Sequence, residues 1–190
     1  MTDIEFVMSF AAILFGLLLA NVANNMADAV RSRRDLPIGF VPWAINFYIS
    51  ASAVWAYAFY YNAREDIDFD IVSITLLLAT VMAYIVVSRL LYPEHKDRWA
   101  SVEDYYISNR RLILGVMAIA PLTSILSFFY GLTQFPFLEV LFYSSTIVGL
   151  PLLIMLTLMA TDKPQWHRAG WGFLVLHRIA MMIWLAVTTA

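Results

Sequence analysis

Cysteine is absent from the 190 residues. Disulfides, iron–sulfur clusters and thiolate chemistry are thereby excluded, although the absence says little about compartment. Charge is scarce: Asp, Glu, Lys and Arg make up 14% of the chain, against 62% hydrophobic residues and a mean hydropathy of +0.73. That balance excludes an ordinary soluble domain of this size and points to a membrane protein. Basic residues are missing ahead of the first apolar run, which follows Asp3 and Glu5, and no small-residue cleavage site leads on to a soluble domain. The run is read as retained and not as a signal peptide. No HExxH, GxSxG, P-loop or dinucleotide fingerprint occurs, nor a Ser/His/Asp order that the topology would bring together, so an enzyme is the weakest of the readings open.

Long apolar runs are what the chain does have. Crossing the hydrocarbon core takes about 20 apolar residues per helix, and six stretches offer them, at about 4–30, 40–62, 69–92, 111–132, 137–160 and 170–189. The expected fold is an all-α polytopic bundle of six membrane helices in one transmembrane domain, residues 1–190, with nothing left over for a soluble domain. Lys and Arg set its orientation. The first, third and fifth loops carry Arg31, Arg33, Arg34, Arg89, Lys96, Arg98, Arg110, Arg111, Lys163 and Arg168, whereas the opposite side carries Arg64 alone. The positive-inside rule places the ten on the cytoplasmic side and both termini in the periplasm, as a multi-pass protein of the inner membrane. The acidic stretch "EDIDFD", residues 65–70, then falls outside.

Within the third loop, Trp99, Val102 and Tyr106 recur at spacings of three and four. They predict a short interfacial helix with Glu103 and Asp104 turned elsewhere. Trp43, Tyr60, Tyr61, Trp166 and Trp171 fall where aromatic belts belong. Pro121 and Pro151 lie inside helices four and five and predict kinks. Arg89 and Arg178 occupy comparable places in helices three and six, but their surroundings do not match and no repeat is inferred.

Helix one is divided. Asn21, Asn24, Asn25 and Asp28, at offsets 0, 3, 4 and 7, share one polar face. Ser9, Ala12, Gly16, Ala20, Ala23 and Ala27 make a small-residue face expected to pack against a neighbouring helix. Phe15, Leu19, Val22 and Met26 form an apolar strip expected to meet lipid or a partner. The amides read first as packing glue between helices, and second as a solute path, which Asn46, Ser50 and Tyr57 on helix two would continue. Arg178 is the deepest charge, about 12 Å along helix six from Gly170 at 1.5 Å per residue. It is expected to turn toward Asn24, Asn25 or Asp28, making helices one and six neighbours. Arg89 can snorkel to the interface, and Glu139 reads as an exposed first-turn acid.

His177 alone among three histidines lies at membrane depth, while His95 and His167 fall in loops. A haem would need a second axial ligand and a zinc site three or four converging donors, so no haem, zinc or nucleotide signature is read and any cofactor stays unknown.

The chain resembles a group of small, uncharacterised, bacterial polytopic inner-membrane proteins. The likeness is carried by "ILFGLLLANVANNMADAVRSRR" passing into "GFVPWAINFYISASAVWAYAFYY", and by "LLYP" and "VEDYYISNRRLILG", over roughly the first two thirds of the sequence. The relatives often carry His in the polar end of helix one, where this chain has Asn21, Asn24 and Asn25, a departure that weakens a metal or haem site there. The resemblance implies no activity. The leading reading is a non-catalytic subunit or partner of another membrane component in the lipid bilayer, with a membrane-protein partner or a homo-oligomer expected and no nucleic acid involved. The alternative is a small transporter or channel using the helix-one stripe with Arg178.

Overall fold

A computed structural model describes residues 3–62, 71–131 and 144–188. All regular structure among them is helical. The order is α1 (Asp3–Arg31), α2 (Phe40–Asn62), α3 (Ile71–Leu90), a 3-10 turn (Lys96–Arg98), α4 (Val102–Met117) and α5 (Ile119–Gly131). A π-helical turn, Ser144–Gly149, then leads into α6 (Leu150–Ala160), and α7 (Pro164–Thr188) follows. The acidic stretch 65–70, Arg64, Glu139 and the first residues of the fifth apolar run lie outside the described residues.

Among the described residues, four stretches are long and apolar enough to cross a membrane: Glu5–Arg31, Ile71–Leu90, Val102–Leu126 and Pro164–Thr188. α2 has 23 residues but is richer in Tyr, Trp and Asn. Its position explains the tolerance. It packs against α1, α3, α4 and α7, so much of its surface meets protein, and Val41, Ile45, Asn46 and Ile49 are fully enclosed. α3 packs on α1, α4 and α5, and α4 on α6. The core runs through all of them, from Phe15, Leu18 and Val22 of α1 through Tyr48 and Val81 to Tyr106, Met117, Met155, Trp171 and Leu174.

The helix boundaries have local causes. α4 begins at Val102, not near 111, because Ser101 caps it by accepting the Asp104 N–H at 3.0 Å, with Glu103 and Asp104 in the favourable first turn. The expected interfacial helix is thus the opening of a long one. Its Val102, Glu103 and Tyr106 are all buried, so Glu103 shares the inward face that was expected to exclude it. α4 and α5 are divided at Ala118, which keeps helical angles (φ −65, ψ −17). Pro121 has no N–H for the Met117 carbonyl, and this accounts for the break. Pro151 likewise leaves the Ile147 carbonyl without its helical donor, directly after the π-helical turn. α7 starts at Pro164, a residue suited to a first helical position, and not at 170.

The faces of α1 are arranged the other way round from the expectation. Phe15 and Val22 are buried, whereas Ser9, Ala12, Gly16, Ala20, Ala23 and Ala27 are all exposed. Phe15 sets its ring edge-on against Tyr57, centroids 6.3 Å apart. A large side chain thereby fills the seam between α1 and α2, where small residues would have left a void. Of the residues read as an aromatic belt, Trp43 and Trp166 are exposed, whereas Trp171 is completely buried.

Candidate functional site

The polar face of α1 meets the end of α3. Ser88 is fully buried and small enough to let the two helices approach. Its Oγ donates to the Ile85 carbonyl (2.9 Å) and accepts from Asn21 Nδ2 and Asn25 Nδ2, the latter at 3.2 Å. Asn25 Nδ2 also reaches the Ser88 carbonyl at 3.1 Å, and Arg89 Nε leans on Asn21 Oδ1 at 3.4 Å. Asn24, one step round the helix, is exposed. Asp28 pairs with Arg31 at 3.1 Å, but both side chains are more than 70% exposed, and such a pair contributes little.

Behind this seam, Asn46 on α2 is completely enclosed. Its Nδ2 donates to the Pro42 carbonyl (2.9 Å) and to Tyr92 Oη (2.8 Å). Burial pushes the Tyr92 phenol up to about 12, with the Asn46 bond acting in the opposite direction, so the hydroxyl keeps its proton at physiological pH. A cavity of about 280 Å³ opens beside these groups, lined in part by Asn25, Asp28, Ser32, Arg89, Tyr92 and Lys96. Asn21, Asn25, Asp28, Asn46 and Arg89 therefore gather at the Lys/Arg-rich end of the bundle.

Arg178 does not join them, which corrects the expected pairing with Asn24, Asn25 or Asp28. α2 packs against both α1 and α7, and Arg178 meets α2 instead. Its Nη2 donates to Tyr48 Oη at 3.0 Å, and the guanidinium lies 5.1 Å from the Tyr48 ring centroid and 5.3 Å from that of Trp55. It is only 5% exposed, and no carboxylate among the described residues pairs with it. Two aromatic faces stand in for a counter-ion, an interaction that strengthens where water is excluded. Arg178 Nε and Trp55 Nε1 are buried without hydrogen-bond partners among the described residues, as are both ring nitrogens of His177, which stacks on Phe173. Because replacing a buried charge by an apolar chain of similar length is often neutral or stabilising, Arg178→Met should unfold in detergent at or above the wild-type temperature. A fall of more than about 4 °C, roughly 1 kcal/mol or more for a chain of this size, would show that the aromatic box holds the fold together.

A second polar assembly was not expected from the sequence. Trp171 Nε1 donates to Tyr106 Oη at 2.9 Å, Tyr106 Oη lies 3.0 Å from His167 Nδ1, and His167 Nε2 lies 3.0 Å from the Thr161 carbonyl. One tautomer satisfies every atom, with the His167 proton on Nε2 and the Tyr106 proton directed at Nδ1. Glu103 accepts the Phe40 N–H at 2.9 Å and Arg168 Nε at 2.7 Å, and so ties the start of α2 to α4 and α7. Gly39 permits this approach. Its φ is +79, and a Cβ there would collide with the Glu103 carboxylate. These residues lie too close to charged, loop-like sequence to announce burial. The only available hint was the shared face of Val102 and Tyr106, one residue short of Glu103.

No three His, Asp or Glu side chains converge as a metal site among the described residues. What the fold defines is a class: an all-helical bundle whose four long apolar helices are compatible with an integral membrane protein. Beyond that class, neither a family model, nor a curated protein, nor a solved structure matches the chain.

Proposed function

We propose that the protein is a six-span integral membrane protein of the bacterial inner membrane with both termini periplasmic, and that it serves as a non-catalytic subunit docking on another membrane protein. The observation that carries the docking role is the outward small-residue face of α1. Ser9, Ala12, Gly16, Ala20, Ala23 and Ala27 repeat at spacings of three and four on an apolar helix and are all exposed, and nothing lies within 4 Å of a Cβ built on Gly16. In lipid, where no hydrophobic force drives helices together, such a surface gains most from close backbone approach by a partner helix. Exposed Asn24 at its end adds an amide for a bond across that contact.

For the alternative of a small transporter, Arg178 bonds Tyr48 of α2 instead of a helix-one amide, and Tyr57, the outer member of the helix-two stripe, is packed against Phe15; the docking role is therefore the reading taken forward.

Gly16→Leu should leave the monomer folded, because its Cβ meets open space, while abolishing copurification of the partner after mild detergent extraction. A loss of folded yield would place the face inside the bundle, and unchanged copurification would remove it from the interface. The topology has its own check. A C-terminal reporter active only in the cytoplasm should stay dark, and the same reporter inserted after Arg34 should be active.

A further inference from the structure

Two of the cations at the basic end of the bundle that have no acidic partner among the described residues line one cavity. Arg89 is exposed, and its one side-chain contact, Nε on Asn21 Oδ1 at 3.4 Å, leaves both terminal amino groups of the guanidinium unengaged. Lys96, also exposed, makes no side-chain hydrogen bond or ion pair among the described residues. Both line the 280 Å³ cavity between the last turns of α1 and the segment after α3. That space far exceeds the roughly 15 Å³ that one water needs.

Tyr92 also lines the cavity. Its oxygen is already taken as an acceptor by the Asn46 amide at 2.8 Å, so its hydrogen is directed to some other acceptor. Asn46 is itself held by the Pro42 carbonyl, so the acceptor side of the phenol is occupied and its O–H is left to donate. The one carboxylate among the lining residues, Asp28, is exposed to solvent and lies 3.1 Å from Arg31. A planar guanidinium, an ammonium and a positioned hydroxyl around one cavity form a set that matches the oxygens of a phosphate group.

We propose that this cavity binds a phosphate group, the shared chemistry of a phospholipid headgroup and of a soluble phosphate. It takes its charge from Arg89 and Lys96 and its alignment from Tyr92. Under the membrane topology above, the basic end lies at headgroup depth, where Lys and Arg meet anionic lipid. The assignment rests on that topology only for the lipid source, and it does not depend on the α1 docking face.

The test uses the full chain, purified and delipidated in detergent. Three probes are compared by native mass spectrometry and by a binding titration: short-chain phosphatidylglycerol, diacylglycerol of the same chain length, and inorganic phosphate. One phosphatidylglycerol per chain should bind in preference to diacylglycerol, and its affinity should fall roughly tenfold or more with each of Arg89→Gln and Lys96→Gln. Tyr92→Phe should weaken it several-fold without altering the helical content. Displacement by millimolar inorganic phosphate would assign the site to a soluble phosphate; no displacement would assign it to lipid. Equal binding of diacylglycerol, or an Arg89→Gln, Lys96→Gln double variant that folds and binds as wild type, would overturn the proposal. If the double variant fails to fold, unchanged binding to the Tyr92→Phe protein overturns it instead. None of these outcomes bears on copurification through Gly16, so failure here and failure of the docking role can be told apart.

Discussion

Trp171→Ala is expected to cost the folded bundle about 3–5 kcal/mol, the range for emptying a fully buried large aromatic site. Trp171 is completely buried and joins two assemblies. Its ring stands edge-on to Tyr48, centroids 5.8 Å apart, and its N–H satisfies Tyr106. Tyr48 in turn carries Arg178. Truncation would open a void beside a buried cation and strip the Tyr106–His167 chain of its first donor. Part of the usual penalty is water-to-core transfer, which shrinks in an apolar surround, but the lost dispersion contacts remain. Trp171→Phe keeps most of the packing and loses only the N–H, so about 1 kcal/mol is expected. Denaturant unfolding in detergent should rank wild type above Phe and Phe well above Ala. Equal losses for Phe and Ala would mean that the hydrogen bond, and not the ring, holds α4 to α7.

Gly39→Val should also be severe, by at least about 2 kcal/mol, for a different reason. The residue sits at φ +79, where a β-branched side chain is strained in any surroundings. In addition, a Cβ would lie 2.8 Å from that of Glu103 and collide with its carboxylate. Expelling Glu103 removes both the acceptor of the Phe40 N–H and the partner of Arg168. A diagnostic follows from comparing two backgrounds. In a Glu103→Ala protein the collision is gone while the φ penalty stays, so Gly39→Val should cost distinctly less there than in the wild type. Equal cost in both would show that backbone strain alone is responsible.

How much of this was legible in the sequence depends on which kind of information each feature needs. Periodicity divided α1 correctly into polar, small and large-apolar faces, since that follows from 100° per residue alone. It could not say which face meets the rest of the chain. That depends on the gap between helices, which Phe15 and Tyr57 fill, and on surfaces of other helices invisible to a one-dimensional pattern. Arg178 was readable as turned into the bundle but not as a neighbour of Tyr48 and Trp55, because the packing of α2 against both α1 and α7 is a tertiary fact. The start of α4 was missed because Arg110 and Arg111 look like a loop boundary. In the structure Arg110 reaches back to the Ile107 carbonyl at 3.0 Å, and the helix continues beneath it. Glu103 and His167 were passed over for a related reason. Their burial is made possible by partners 63 and 61 residues away in Phe40 and Tyr106, and no local signal records such pairings.

The docking role of α1 meets its most direct test in the chain's own lack of cysteine, which makes every introduced thiol the only one present. Single cysteines at Gly16 and Ala20, on the exposed face, and at Leu18, fully buried against the bundle, are to be compared by thiol-directed crosslinking in native membranes. Adducts to a second membrane protein at Gly16 and Ala20, with none at Leu18, are the predicted result. A crosslinked species of twice 21.7 kDa would replace that partner by a second copy of the chain, and the absence of any adduct at Gly16 and Ala20 would contradict the account.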